Sequence, residues 1–397
     1  MIEQVSIVDD DQQVTHLISV IAKKMGYHTQ QYNNVDTFLK QPHLKSELVF
    51  LDLCMPGTDG VEVIRSLAKQ QCPAQIVLIS GQEASVLKAA RELAIAQNLY
   101  CIDALSKPIE LKTYQRLLAG LTDPIEKNES RSTKKWNPTK NELAEAIEES
   151  QLVLYYQPQI DCKSNILRGV EALVRWQHPE RGLIYPVHFI GVAEECGLIG
   201  ALTTQVIRLA VRDSKHWQAM GLNINVSVNV SADNIRSLSL PEQLSTLVSE
   251  NEISPSNLTL EITESELMGE LVASLDILTR LRMKGFGLSI DDFGTGYSSL
   301  SQLHKIPFSE LKIDQSFVLG MISDKEAYAI VETCVMLGKK LGMTVVAEGV
   351  ESQEHQELLA AMNCDISQGY YWEKPMPSKA LLPWIAKHQA KLLEKVL

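Results

Sequence analysis

The chain has 397 residues, 45% of them hydrophobic, and a formal net charge of −12 at pH 7. That length predicts two or three domains, and the apolar content supports sizeable cores rather than disorder. A surface this acidic argues against nucleic-acid binding, so no DNA partner is expected, whereas it suits a protein that loads cations.

The seven cysteines are scattered and include no C-x-x-C pair, which predicts reduced thiols rather than a disulfide framework. No apolar run approaches the roughly 20 residues that cross a bilayer, so no membrane span and a cytoplasmic location are expected. Residues 1–121 alternate apolar runs (Val5–Val8, Leu48–Leu51, Ile76–Ile79) with helical spacing at Val14 to Met25 and Val61 to Lys69. That alternation predicts a small, doubly wound, flavodoxin-like α/β sheet whose working edge is the carboxyl ends of its strands. Asp9, Asp10, Asp52, Ser80 and Lys107 all fall at such ends. Three carboxylates there suit one Mg²⁺, one of them can attack a phosphoryl donor, and a hydroxyl and a lysine suit the new phosphoryl oxygens. An ordinary flavodoxin-like domain with acidic loops is the plainer reading, and all five residues in order count against it. Asp52-Leu-Cys-Met-Pro-Gly-Thr-Asp-Gly60 and Leu105-Ser-Lys-Pro108 resemble response-regulator receiver domains. The resemblance implies that Asp52 is the phosphoacceptor, that Asp9 and Asp10 carry the Mg²⁺, and that a sensor histidine kinase is a partner. Receivers place Tyr or Phe three residues before the lysine, and this chain has Ala104 there.

Residues 122–140, with two prolines and several lysines, read as a linker. From about Asn141 to residue 397, strands are expected at Leu152–Gln157, Gly169–Trp176, Ile224–Val230, Leu258–Thr263, Phe286–Ile290, Glu310–Ile313, Thr344–Ala347 and Ile366–Tyr370. Eight strands with intervening helices predict a TIM-like (β/α)8 barrel, whose chemistry sits at the C-terminal strand ends. Glu171, Asn229, Glu261, Asp291, Asp292, Lys312 and Glu348 map there, from six different strands. Crowded carboxylates repel unless cations neutralise them, and carboxylates plus an amide suit Mg²⁺ or Mn²⁺. Two such ions about 3.5–4 Å apart can clamp the attacking and leaving oxygens of a phosphoryl transfer. Neighbouring strand residues point to opposite faces, so the chain must turn if Asp291 and Asp292 are both ligands. The loop from Phe293 to Ser299 supplies the flexibility. Any one of these residues alone is more often solvated or salt-bridged than a ligand. Their joint placement carries the argument.

Glu171-Ala-Leu-Val-Arg-Trp resembles the signature of bacterial EAL-domain cyclic-di-GMP phosphodiesterases. The match continues through Asn229-Val-Ser, Leu260-Glu-Ile-Thr-Glu264, Asp291-Asp-Phe-Gly-Thr-Gly-Tyr-Ser-Ser-Leu300, Leu311-Lys-Ile-Asp314, Ala347-Glu-Gly-Val-Glu351 and Gln368-Gly-Tyr370. It implies a barrel with a reversed first strand and hydrolysis of cyclic-di-GMP to linear pGpG. By resemblance, Glu171, Asn229, Glu261 and Asp291 hold one metal and Asp291 with Asp292 a second, beside Glu348 as ligand or base. Lys312 matches a lysine near the nucleophilic water. Gln157, Arg175 and Gln368 match substrate contacts or their supports, Glu264 a brace for the loop after Asp292, and Asp314 and Glu351 supporting positions. Homo-oligomers through the EAL domain are expected by resemblance alone. The other reading is a cyclic-di-GMP receptor with little turnover, for which Lys312 and Glu348 have no use. Nine histidines show no metal-ligand spacing, and no Walker, G-x-G-x-x-G or Gly-Gly-Asp-Glu-Phe motif occurs.

Overall fold

The computed structural model describes residues 2–55, 59–81, 84–109, 111–122, 138–264, 271–295, 303 and 305–394. The chain divides into two compact units, Met1–Lys134 and Lys135–Leu397.

The first unit is a five-stranded parallel sheet, with β1 at Gln4–Val8, β2 at His28–Tyr32, β3 at Glu47–Asp52, β4 at Gln75–Ser80 and β5 at Tyr100–Ser106. Its order is β2-β1-β3-β4-β5, so the sequence direction reverses between β1 and β3. Asp9 follows β1 and Asp52 ends β3, which places both at that switch point, where open α/β sheets hold their ligands. Every residue of β3 is buried, as its apolar run predicts. β2 is an edge strand, His-Thr-Gln-Gln-Tyr, with no buried residue, and so carries no apolar signal in the sequence. Asp11 starts the helix Gln12–Lys24, its carboxylate accepting from the backbone N–H groups of Gln13 and Val14.

In the second unit, β6 is Leu152–Asp161, β7 Leu167–His178, β8 Gly182–Ile184, β9 Asn225–Asn229, β10 Leu258–Thr263, β11 Gly287–Phe293, β12 Glu310–Ile313, β13 Thr344–Ala347, β14 Ile366–Gln368 and β15 Met376–Pro377. β6, β7 and β9–β14 close a ring, while β8 and β15 add short flanking pairings. β6 runs antiparallel to both β7 and β14, and the remaining ring contacts are parallel. The first strand is therefore reversed. It runs on to Asp161, past the expected end at Gln157, because the turn chemistry comes later. The Asp161 carboxylate accepts from the N–H groups of Lys163 and Ser164, and Asn165 takes φ 57°.

Strand alternation then sorts the side chains. Val226, Val228, Leu260, Ile262, Leu288, Ile290, Leu311, Ile313, Val345 and Ala347 join one apolar cluster with the helices. The other face of the same strands turns to the barrel axis, where most such barrels stack branched apolar residues. Here that face carries Ser227, Thr259, Glu261, Ser289 and Lys312, all buried. A polar axis beneath an acidic mouth is the feature that positions the site. Among the described residues no helix is long and apolar enough to cross a membrane.

Candidate active site

Lys312 is 1% exposed on β12 and lies among four carboxylates. Its Nζ is 2.7 Å from Glu348 Oε1, 3.1 Å from Glu261 Oε2, 3.1 Å from Asp291 Oδ1 and 3.8 Å from Glu171 Oε2. Strand register makes this convergence, since Glu261 pairs across with Asn229 on one side and Ser289 on the other. Asn229 donates through Nδ2 to Glu171 Oε1 at 3.1 Å, which leaves its amide carbonyl for another partner. Gln368 donates to Glu171 Oε2 and, at 3.2 Å, to Gln157 Oε1, while Gln159 donates to Gln368 Oε1 at 3.0 Å. Gln157 and Gln368, expected near substrate, are thus buried and tied into the frame around Glu171. Gln159 was not anticipated; its only signal is that it shares a strand face with Gln157.

The chain does turn after Asp291. β11 and β12 lose register between Ile290 and Phe293, and Asp292 takes φ +54°, a left-handed conformation that side chains other than glycine seldom adopt. The turn is held by Asp292 N donating to Asp291 Oδ1 at 2.9 Å and Thr295 Oγ1 donating to Asp292 O at 2.8 Å. As a result Asp291, Asp292 and Glu348 each bring a carboxylate oxygen within 4.8 Å of the others. Glu264 Oε2 accepts from Gly294 N at 3.2 Å. Gly294 has φ +102°, and a Cβ there would meet the Phe317 ring at 3.0 Å, so the loop passes where only glycine fits. Residues 296–299 of the expected loop lie outside the described residues. Asp314 caps the helix Gln315–Gly320 by accepting from Ser316 N at 3.0 Å. Glu351 is exposed, and its N–H donates to His355 Nδ1 at 3.4 Å. Arg175 stands further along β7, beside the rings of Tyr155 and Tyr185.

The electrostatics follow from burial. Glu348 is pushed up to about 8 by burial, with Asp291 and Glu171 adding and Lys312 opposing. Asp292 is pushed up to about 6 by burial and by Asp291 and Asp314. Burial drives Glu261 well above the carboxylate range, and its Oε1 has no hydrogen-bond partner. Burial alone would discharge Lys312, but Glu171, Glu261, Glu348 and Asp291 hold it protonated. Five carboxylates thus face one ammonium. The donors are hard oxygens and the negative charge is in excess, so the residues present fit divalent cations.

At the receiver edge, Asp9 and Asp52 are buried, and Lys107 Nζ reaches them at 2.8 Å and 2.7 Å. Asp9, Asp10 and Asp52 bring carboxylate oxygens within 4.8 Å of one another, with Asp10 exposed. Ser80 is buried, its Oγ 3.2 Å from Cys54 Sγ. Ala104 lies within β5.

These two centres coincide with two family matches. The EAL domain matches residues 140–375, and the response regulator receiver domain matches residues 5–119. The cyclic di-GMP phosphodiesterase RocR of Pseudomonas aeruginosa is 31% identical over 338 residues, covering 85% of this chain and 86% of that protein. The bifunctional diguanylate cyclase/cyclic di-GMP phosphodiesterase MucR of the same organism is 42% identical over 247 residues, 62% of this chain. The chain spans only 36% of the length of MucR. Among solved structures, the phosphodiesterase PaMucR in a c-di-GMP complex matches at 42% identity and TM-score 0.58, covering 61% of this chain and 98% of that one. The EAL enzyme Bd1971 bound to cAMP and cyclic-di-GMP matches at 30% identity and TM-score 0.59, covering 69% of this chain and 73% of that one. A receiver edge ahead of a reversed-first-strand barrel, with its acidic mouth intact, places the chain in the EAL-domain family as a response regulator.

Proposed function

We propose that the chain hydrolyses cyclic-di-GMP to linear pGpG with Mg²⁺ or Mn²⁺, under control of phosphorylation at Asp52. The observation that carries this reading is the buried Lys312 ringed by Glu171, Glu261, Asp291 and Glu348, with Asp292 turned into the same mouth. Glu171, Asn229, Glu261 and Asp291 would hold one ion and Asp291 with Asp292 the other, with the Glu348 carboxylate beside it. When bound, such ions polarise the phosphoryl group and lower the pKa of water. Gln368 and Asn229 hold Glu171 in place, and Glu264 fixes the loop after Asp292. Lys312 Nζ orients the attacking water and balances charge on the phosphoryl oxygens. Glu348, whose Oε1 lies 2.7 Å from Lys312 Nζ, takes a proton from the water as its oxygen bonds to phosphorus, the P–O3′ bond breaks, and the departing 3′-oxygen takes up a proton from solvent. In the receiver, Asp9 and Asp10 would carry one Mg²⁺, while Ser80 and Lys107 would meet the phosphoryl group on Asp52. A sensor histidine kinase and a second copy of the EAL domain are the partners this reading entails, in a cytoplasmic setting.

Incubation of the purified protein with cyclic-di-GMP and Mg²⁺ is expected to give pGpG on an anion-exchange column, and Glu171→Ala to give none. Binding without product, in Mg²⁺ or Mn²⁺ and with or without acetyl phosphate, would support the receptor reading instead. Acetyl phosphate is expected to change the rate of the wild-type protein and to leave that of Asp52→Asn unchanged. An identical response in both proteins removes Asp52 from the control step.

A further inference from the structure

Three buried glutamine amides form one chain of hydrogen bonds beside Glu171, across β6 and β14. Gln159 lies directly across from Gln368 on β14 and from Gly169 on β7, while Gln157 lies across from Glu171. Gln159 Nε2 donates to Gln368 Oε1 at 3.0 Å. Gln368 Nε2 donates to Glu171 Oε2 and, at 3.2 Å, to Gln157 Oε1. Gln157 Nε2 in turn donates to the backbone carbonyl of Glu373 at 3.4 Å. The two ends of an amide have opposite hydrogen-bonding character, so its neighbours decide which end faces which way. A backbone carbonyl only accepts, and this holds Gln157 with Oε1 toward Gln368. Gln368 must then present Nε2 to Gln157 and Glu171, which leaves its Oε1 facing β6. The donor that meets it there is Gln159. Gly169 makes the room, since a Cβ at that position would come within 3.1 Å of Gln159 Oε1 and 3.0 Å of Asn225 O.

We propose that Gln159 is a positioning residue for the ion at Glu171, acting through the orientation of the Gln368 amide. The role rests on the reading that Glu171 holds a divalent cation. Without a donor at position 159, Gln368 has no satisfactory orientation. Kept as it is, its Oε1 is buried without a partner, which is unfavourable. Turned round, it sets a carbonyl oxygen against the Glu171 carboxylate and Gln157 Oε1. Glu171 then loses the donor on Oε2 and keeps only Asn229 Nδ2, 3.1 Å from Oε1. A ligand carboxylate held in place before the ion arrives binds it more tightly, and groups that orient metal ligands typically change affinity by about ten- to a hundredfold.

Gln159→Met keeps the length of the side chain and removes its donor. The Mg²⁺ Kd of the second unit, taken from the rise of its tryptophan-monitored denaturant stability with Mg²⁺ and without substrate, is expected to increase at least about tenfold. Gln159→Leu, a different shape that also lacks the donor, is expected to give the same increase. The double variant Gln159→Met/Gln368→Met is expected to match Gln368→Met alone, because the effect of position 159 passes through that one amide. A purely structural role lowers stability equally in EDTA and in Mg²⁺ and leaves the Kd unmoved. That result, or losses that add in the double variant, overturns the proposal. Wild-type protein that Mg²⁺ stabilises but that forms no pGpG sinks the hydrolytic reading and leaves the Kd comparison to decide Gln159. A wild-type second unit that Mg²⁺ does not stabilise removes the ion from Glu171 and the positioning role with it.

Discussion

Lys312→Met is expected to destabilise the metal-stripped barrel by about 3–5 kcal/mol and to reduce hydrolysis at least ~10³-fold. Methionine keeps the length and packing of the lysine stem, so the change is close to a pure removal of charge. Left behind are Glu171, Glu261, Asp291 and Glu348, with no cation within the distances of 2.7–3.8 Å that Lys312 provides. Removing one partner of a buried ionic cluster costs far more than the cluster itself contributes, because the remaining charges stay desolvated. The carboxylates can take up protons to relieve this, so the loss should shrink at low pH. Divalent cation should then restore more stability to the variant than to the wild type, since it replaces the missing positive charge. Denaturant unfolding in EDTA and in Mg²⁺, followed by tryptophan fluorescence, measures these terms. All five tryptophans lie at residue 136 or beyond, so the signal follows the second unit. A variant as stable as wild type in EDTA would show that the ammonium is not what holds the carboxylates together.

Much of this site is legible in the sequence, because a barrel converts strand ends into neighbours. Glu171, Glu261, Asp291 and Lys312 each sit on a recognisable apolar strand, and the fold rule alone places them at one opening. Even the turn between Asp291 and Asp292 follows from two adjacent side chains being needed on one side. Less legible is what depends on pairing between distant strands. Gln159 and Gln368 meet across β6 and β14, more than 200 residues apart in sequence, and nothing local in either residue marks a partner. The same holds for Tyr185, whose ring reaches Arg175 only because β8 folds back on β7. Edge strand β2 escaped for the opposite reason, since a polar strand with no buried residue leaves no period to read. The polar lining of the barrel axis was also hidden. Ser227, Thr259 and Ser289 look like ordinary strand residues until alternation assigns their neighbours to the outer core.

In EDTA, the second unit is expected to lose stability as pH rises from about 5 to about 8.5, and saturating Mg²⁺ is expected to flatten or reverse that slope. Glu348 and Asp292 set the window, at about 8 and about 6, both above the ordinary carboxylate range. A carboxyl with a raised folded-state pKa binds its proton more tightly folded than unfolded. Its stabilising protonation is complete below the unfolded value and is lost as pH climbs through the folded one. Burial of Glu261 and Glu310 acts in the same direction. Lys312, also raised, keeps its charge throughout this range and adds no slope. Asp161, lowered to about 2, changes state only below it. Divalent cations compete with protons for the same oxygens, so they bind best where the empty site is least comfortable. Ligand present at 100 times its Kd stabilises the folded state by about 2.7 kcal/mol. Glu348→Gln should remove the upper part of the slope in EDTA and leave the part that ends near 6, where Asp292 titrates. A stability that rises with pH in EDTA, or a slope that Mg²⁺ leaves untouched, would mean that these carboxylates find their neutralising partner within the protein and do not await an ion.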